Sequence, residues 1–99
     1  MTKQNIKNNI RDSLQKNPYL DKIRKVSLFG SYLNGTAEDD SDVDLLVEFD
    51  RGITLFNLVE IQRLIGNDVK KKVDLLTPNS LSKYFRDEVV NKAELIYER

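Results

Sequence analysis

Two aspartates, Asp42 and Asp44, stand one residue apart at the start of an apolar run that ends at Phe49. Residues i and i+2 of a strand share one face and lie about 7 Å apart, from two rises of about 3.3 Å each. Two unpaired carboxylates on one face repel each other, and burying them without a counter-charge is costly. A bound cation resolves that conflict, so the pair predicts a strand that carries a metal site.

A third carboxylate occupies a matching position later in the chain. The tetrapeptide Val-Asp-Leu-Leu that begins at Val43 recurs at Val73, and in both copies the aspartate lies on the opposite strand face from the valine before it. If the two strands are neighbours, Asp74 joins Asp42 and Asp44 on one surface. Three carboxylates suit phosphoryl or nucleotidyl transfer by Mg²⁺, in which one ion holds the triphosphate and a second ion or a nearby carboxylate activates the attacking hydroxyl. Asp74 is the candidate for that activation, as general base or as a ligand of the second ion.

A glycine–serine pair, Gly30 and Ser31, precedes the two aspartates. Glycine adopts backbone angles that a side chain forbids and lets a phosphate approach the main chain. Ser31 offers an amide and a hydroxyl at the start of a helical turn, where unsatisfied N–H groups favour anions. By itself such a pair is more often a plain turn, and its value lies in the fixed spacing to the aspartates. In that context it predicts a triphosphate-binding turn.

Composition narrows the chemistry further. The chain has 99 residues with no cysteine and no histidine, which excludes thiolate chemistry, zinc sites and Ser–His catalysis, so any metal must be held by oxygen. Sixteen basic and sixteen acidic residues give a net charge of zero, which makes a nucleic-acid substrate less expected. No apolar stretch approaches the length of a membrane span, and the polar start lacks a signal-peptide core. We therefore expect a cytoplasmic protein with a single domain over residues 1–99.

Hydrophobic periodicity predicts alternating helices and strands. The predicted strands cover residues 23–29, 42–49 and 72–76, with an edge strand over 93–97. The first predicted helix runs from a Thr2 cap to before Pro18, and one helical turn leads to Gly35. A further helix runs from a Thr54 cap to a stop at Gly66 and carries Leu55, Leu58, Val59, Gln62 and Ile65, and the last helix runs from a Ser80 cap through Leu81, Phe85 and Val89. The first two strands are joined too tightly for a crossover, whereas the helix after Thr54 is long enough for one. The expected fold is α/β (α+β), a small mixed β-sheet flanked by helices.

The order of these features resembles a known family. Gly30 and Ser31, followed after ten residues by Asp42 and Asp44, are similar to the signature of the DNA polymerase β-type nucleotidyltransferase superfamily. The short length and the segment 72–78 resemble the minimal nucleotidyltransferases, the MNT group. The resemblance covers nearly the whole chain and implies a single nucleotidyltransferase domain over residues 1–99 with a polymerase β-like fold.

The resemblance also implies roles for the candidate residues. Gly30 and Ser31 would hold the triphosphate of ATP, Asp42 and Asp44 would bind Mg²⁺, and Asp74 would complete the catalytic and metal-binding triad. The chain departs from the family pattern at Asn34, where many relatives carry arginine. Arg51 and the lysines at 70–72 are the candidates to replace that positive charge, although a lysine run is usually a solvated face.

Members of the minimal group are often encoded beside an HEPN-domain protein in a toxin–antitoxin pair. The resemblance implies an antitoxin that transfers AMP from ATP to a tyrosine of the HEPN toxin. Because 99 residues are consumed by the fold, we expect a partner protein to present the acceptor.

Two alternatives stay open: an antitoxin with an idle site that blocks its toxin by binding, and a transferase acting on a small molecule or an RNA end. Apolar surface on the last helix would suit a homodimer or a hetero-oligomer equally.

Overall fold

The computed structural model describes residues 2–99 as a four-stranded mixed sheet with helices packed against it. The α-helices are α1 (Lys3–Gln15), α2 (Ser31–Asn34), α3 (Leu55–Val69) and α4 (Arg86–Lys92), and the strands are β1 (Ile23–Phe29), β2 (Val43–Phe49), β3 (Val73–Leu76) and β4 (Glu94–Glu98). The sheet order is β3-β2-β1-β4. As predicted, β1 and β2 are antiparallel, and the crossover through α3 makes β2 and β3 parallel. Within residues 2–99, no helix combines the length and the apolar character needed to span a membrane.

The core fills the space between the sheet and helices α1 and α3. Each helix contributes residues at helical spacing, and β2 contributes every second residue, because strand side chains alternate between faces. The apolar residues that these three elements contribute to the core are Ile6, Ile10 and Leu14 of α1, Ile61, Ile65 and Val69 of α3, and Val43, Leu45 and Val47 of β2. This alternation leaves Asp44 on the other face of the sheet.

Helix α1 begins as predicted. Thr2 is its N-cap, and the Thr2 hydroxyl accepts a hydrogen bond of 3.1 Å from the backbone N–H of Asn5. Helix α3 begins at the predicted Thr54 cap, whose side chain forms a reciprocal capping box with Asn57. Both starts were predictable because a capping hydroxyl is a local interaction within four residues of chain.

The predicted end of α3 at Gly66 is wrong. The helix continues to Val69 and ends at Lys70, which takes the left-handed backbone conformation with φ 59°. Gly66 serves a packing role instead, since a Cβ there would lie 3.0 Å from the carbonyl oxygen of Lys71 as the chain returns. Of the residues named from the sequence for this helix, Leu55 and Val59 are exposed, whereas Ile65 is buried together with Ile61 and Val69.

The predicted boundaries of four other elements also shift. Strands β2 and β3 begin at Val43 and Val73, one residue later than predicted, so Asp42 lies just before its strand. The last helix does not start from a Ser80 cap, because residues Pro78–Ser80 form a 3-10 turn and Phe85 is the residue before α4. The final strand runs over Glu94–Glu98 rather than 93–97, and it is an edge strand as predicted.

Side chains from two helices cover the two edges of the sheet. At the β3 edge, the Gln62 side-chain oxygen accepts a hydrogen bond of 3.0 Å from the backbone N–H of Leu75. At the β4 edge, Arg11 donates from Nε to the carbonyl oxygen of Ile96 at 3.1 Å. Unpaired strand edges favour pairing with other chains, so these contacts protect both edges against it.

Candidate active site

The parallel pairing of β2 with β3 brings two of the predicted carboxylates together. Asp44 and Asp74 are direct partners in the register of these strands, and Phe29 of β1 is the partner of Asp44 on its other side. Neighbouring strands lie about 4.8 Å apart. The repeated Val-Asp-Leu-Leu motif therefore places Asp44 beside Asp74, as the sequence predicted.

The turn after β1 packs directly on Asp44. Gly30 has φ 77° and ψ −151°, a conformation that only glycine adopts readily, and it precedes Ser31, the first residue of α2. A Cβ at Gly30 would collide with the Asp44 carboxylate oxygen Oδ2. Glycine is thus required here for two reasons, the backbone angles and the close approach of the carboxylate. The predicted turn and the predicted metal-binding strand share one site.

The electrostatics of the site centre on Asp44. Burial raises the pKa of the Asp44 carboxyl, and the nearby charges of Asp74 and then Asp42 raise it further. A raised pKa in a carboxylate means that its ionised form lacks compensation from cations or donors. A half-buried carboxylate with two acidic neighbours favours the binding of positive charge.

Asp42 has a cationic neighbour. The Lys72 ammonium lies 3.6 Å from the Asp42 carboxylate oxygen Oδ2, and both side chains are partly exposed. Lys72 directly precedes β3, and the backbone N–H of Val43 donates to the Lys72 carbonyl at 2.9 Å. The lysine run considered from the sequence thus reaches the site. Arg51 does not, because it follows the far end of β2, about 20 Å from Asp44 at about 3.3 Å per residue.

Sequence reasoning missed a contact that ties the parts of the site together. Lys71 donates from Nζ to the carbonyl oxygen of Asp39 at 3.0 Å, and its ammonium lies 5.7 Å from the centre of the buried Tyr32 ring. Tyr32 follows Ser31 in α2, and Asp39 belongs to the loop that leads to Asp42. Lys71 therefore links both segments to the start of β3. No local pattern signals such a contact, since its partners are distant in sequence.

A small cavity of about 190 Å³ adjoins the glycine turn. It is bordered by Gly30 and Asn34 on one side and by Glu88 and Lys92 of α4 on the other. The Lys92 ammonium pairs with Glu88 at 2.8 Å. The position that carries Asn34 thus faces a space that also contains a cation from α4, which the sequence alone did not connect to the turn.

The donor set fits a hard divalent cation, although no metal cage is preformed. Within residues 2–99, no three acidic, histidine or cysteine side chains are arranged closely enough to hold a metal ion as they stand. The raised pKa of Asp44 shows, however, that Asp42 and Asp74 already act on it electrostatically. Carboxylate oxygens are the ligands that Mg²⁺ prefers, and the mutual repulsion of these groups is what a cation would relieve.

Residues 8–99 match the family described as Polymerase beta, Nucleotidyltransferase. The chain belongs to the polymerase β nucleotidyltransferase family. This family assignment agrees with the site, because the match spans the glycine turn, both strands that carry the aspartates, and the closing strand.

Known nucleotidyltransferases of similar length support the assignment. The chain is 33% identical over 75 residues to the protein adenylyltransferase MntA of Thermococcus cleftensis. The aligned region covers 76% of this chain and 74% of MntA. A solved candidate minimal nucleotidyltransferase superposes with a TM-score of 0.78 at 27% identity, covering 94% of both chains. A solved toxin–antitoxin complex with AMP-PNP superposes with a TM-score of 0.74 at 26% identity, covering 94% of this chain and 73% of the other. The fold is therefore the polymerase β-like nucleotidyltransferase fold, and the chain is homologous to MntA.

Proposed function

We propose that this nucleotidyltransferase moves AMP from ATP to a tyrosine hydroxyl of an HEPN-type toxin and thereby acts as its antitoxin. The observation that carries the proposal is the register pair of Asp44 and Asp74 against the Gly30 turn. The relative MntA is named a protein adenylyltransferase, and a similar solved chain belongs to a toxin–antitoxin complex with an ATP analogue. These relatives support ATP as the donor and a toxin as the partner.

The proposed reaction gives a task to each site residue. The acceptor oxygen attacks the α-phosphorus of ATP, the bond from that phosphorus to the bridging oxygen breaks, and pyrophosphate leaves. Asp74 takes the proton of the acceptor hydroxyl as general base. Gly30 and Ser31 hold the triphosphate, since the glycine turn lets phosphate approach the main chain. Positioning and charge stabilisation supply most of the catalysis in phosphoryl transfer.

Asp42, Asp44 and Asp74 are the residues that would hold Mg²⁺, as one or two ions. When bound, Mg²⁺ neutralises the charge that develops on the phosphates. The observed causes of the raised Asp44 pKa, burial and two neighbouring carboxylates, support this assignment, because both are relieved by a bound cation.

The test compares the wild-type chain with Asp74→Asn. Each is incubated with MgCl₂, α-labelled ATP and a lysate of the host, and labelled proteins are separated and identified by mass. The wild type should label one protein at tyrosine, and the variant should lose at least about 100-fold in rate, as expected when a general base is removed. ATP binding by the variant, measured by calorimetry, should stay within a few-fold of wild type, about 1 kcal/mol.

The other outcomes separate the alternatives. Equal labelling by wild type and variant would show that Asp74 is not the base. Labelled RNA or labelled small molecules in place of protein would contradict a protein acceptor. A double variant, Asp42→Ala with Asp44→Ala, that still protects cells from the toxin at equal expression would show that the antitoxin acts by binding alone.

A further inference from the structure

A basic groove lies along the edge of the sheet between α3 and β3. Its volume is about 680 Å³, and its lining includes Arg63, Lys70, Lys71 and Lys72. None of the residues that line it within 2–99 is acidic. Because the whole chain has a net charge of zero, this groove is a local concentration of positive charge. We call it the α3 groove.

The cations of the groove differ in how far they are already neutralised. Arg63 is paired with Glu60 at 2.6 Å, and Lys72 lies 3.6 Å from Asp42. Lys70 is exposed and, within residues 2–99, its ammonium forms no ion pair. Its backbone has φ 59°, a conformation that most residues with a side chain rarely adopt. Lys71 likewise has no ion pair in that range, but it is half-buried and its ammonium donates to the Asp39 carbonyl oxygen at 3.0 Å. Lys70 is therefore the cation of the groove that is most available to a partner.

An apolar surface continues the groove toward the start of α3. Leu55, Phe56 and Val59 are 75%, 87% and 57% exposed. With Tyr19, Asn57 and Glu60 they border a second depression of about 500 Å³, in which the Glu60 carboxylate is paired with Arg63 of the groove. Val59 lines both this depression and the α3 groove. Exposed apolar side chains grouped in this way are typical of surfaces that bind a partner. The apolar and basic parts thus form one continuous surface.

The opposite end of the groove reaches the proposed active site. Lys72 lines the groove, and its ammonium is 3.6 Å from the Asp42 carboxylate. Lys71 also lines the groove and contacts the loop before Asp42 through the Asp39 carbonyl oxygen. A polypeptide lying in the groove would therefore have one end beside the carboxylates.

We propose that the α3 groove, together with the depression that adjoins it at Val59, docks the protein segment that carries the acceptor hydroxyl, a segment with acidic residues opposite Lys70 and an apolar side chain against Phe56. The inference rests on the proposed function, because it needs a protein acceptor. Charge complementarity selects an acidic segment. The three exposed apolar residues of α3 favour a protein over an RNA, for which phosphate contacts by Lys and Arg dominate the affinity.

The binding test titrates the isotopically labelled full chain with three probes and follows its backbone amide resonances. One probe is a peptide of Glu, Leu and a single Tyr, the second replaces each Glu with Lys, and the third is a single-stranded oligoribonucleotide. We expect the acidic peptide to shift the amides of Gly66, Asn67 and Lys70, and the basic peptide to leave them unchanged. No shift at these amides, or shifts only elsewhere, would overturn the proposal. Tighter binding of the RNA at the same amides would overturn it in favour of a nucleic acid.

The variant test uses two changes with matched controls outside the groove. Phe56→Gln and Lys70→Glu should each weaken acidic-peptide binding about tenfold, typical of a change to an interface anchor. Leu95→Gln, at a residue 45% exposed on β4, and Lys22→Glu, at another exposed lysine, should bind as the wild type does. Equal weakening by the controls, or no weakening by Phe56→Gln and Lys70→Glu, would contradict docking in the groove.

The docking proposal and the proposed function fail in distinguishable ways. If the acidic peptide binds at the groove but the wild type transfers no AMP to any protein, the proposed reaction is wrong and the binding surface stands. If the wild type labels its acceptor protein and Phe56→Gln and Lys70→Glu label it with unchanged kcat/KM, the reaction stands and the docking surface is wrong.

Discussion

At the scale of single residues, the site depends on how closely Gly30 and Asp44 approach. The missing side chain of Gly30 makes room for the Asp44 carboxylate, and the same carboxylate is destabilised by burial and by two acidic neighbours. A group held in an unfavourable electrostatic environment is common at functional sites, because binding of the ligand relieves it. Adding a side chain at Gly30 should therefore destabilise the folded protein, whereas removing the charge of Asp44 should relieve a destabilising interaction.

Gly30→Ala should disrupt the site, and Gly35→Ala provides a matched control. Both glycines have φ 77°, but an added Cβ meets the Asp44 carboxylate only at Gly30, whereas it meets nothing within 4 Å at Gly35. We expect Gly30→Ala to lower the free energy of unfolding by about 1–3 kcal/mol and to abolish AMP transfer. Gly35→Ala should cost about 1 kcal/mol and keep most of the activity. Urea unfolding and the labelled-ATP assay measure both effects, and equal activity of the two variants would contradict this account.

Asp44→Asn should change how stability depends on pH in the metal-free protein. The pKa of Asp44 is raised above 3.8 in the folded state, so ionisation costs more free energy in the folded than in the unfolded chain. Below the unfolded pKa, Asp44 is protonated in both states and does not change the free energy of unfolding. As the pH rises from there through the raised folded pKa, ionisation of Asp44 lowers the free energy of unfolding. The asparagine variant does not ionise and should lack this loss.

Urea unfolding across a pH series in EDTA, followed by the same series in MgCl₂, measures that difference. MgCl₂ should stabilise the wild type more than Asp44→Asn, because a ligand that binds only the folded state raises its stability. Parallel pH profiles for the two proteins in EDTA would show that Asp44 is not under electrostatic strain. An equal response to MgCl₂ would show that Asp44 does not bind the ion.

At the scale of elements, helices α1 and α3 bury one face of the sheet and also cover its edges. Arg11 reaches the β4 edge, and Gln62 reaches the β3 edge. The Gln62 contact matters to the site as well, because Leu75 follows Asp74 directly. One side chain of α3 thus holds the strand that carries the proposed general base.

Gln62→Leu should leave the backbone N–H of Leu75 without its acceptor. Gln62→Glu keeps an acceptor there, because a carboxylate oxygen replaces the amide oxygen. We expect the leucine variant to lose about 1 kcal/mol of stability and to self-associate through the exposed β3 edge. The glutamate variant should stay closer to wild type. Urea unfolding reports the stability, and sedimentation velocity reports the association. A monomeric leucine variant would show that Gln62 does not protect the edge.

At the scale of the whole molecule, one small core supports every part of the site. Buried residues of α1, α3 and β2 form a single cluster, and the alternation of β2 puts Leu45 in that core next to Asp44 on the open face. A domain of this size has a total stability of about 5–15 kcal/mol. A single core truncation therefore removes a large share of it.

Leu45→Ala should cost about 2–5 kcal/mol, the usual range for removing a buried leucine side chain, and the cost should be partly recovered in the presence of magnesium and ATP. Leu95→Ala, at a residue 45% exposed on the edge strand β4, should cost less than about 1 kcal/mol. Thermal unfolding with and without nucleotide measures both. A similar loss in the two variants would mean that β4 is packed as tightly as β2.

Much of the fold and the central residues of the candidate site were predictable because their signals are local. The cap at Thr2, the alternation along β2, the glycine turn and the repeated motif at Asp44 and Asp74 each depend on a few neighbouring residues. The expectation that Asp44 and Asp74 share a surface depended on their strands being neighbours, a condition that the repeated motif and the helical crossover left open. The structure meets this condition, because β2 and β3 are adjacent and the two aspartates are register partners.

Tertiary contacts decided the rest. Helix α3 continues past Gly66 because that glycine packs against the returning chain and Lys70 ends the helix. Lys71 holds the loop before Asp42, and Lys92 borders the cavity at the glycine turn, through partners far away in sequence. The sequence by itself therefore determined the strands, the glycine turn and the positions of Asp44 and Asp74 on them, since backbone geometry is local. Only the tertiary structure decided which cations surround them and which apolar residues stay exposed, because those depend on how distant segments pack.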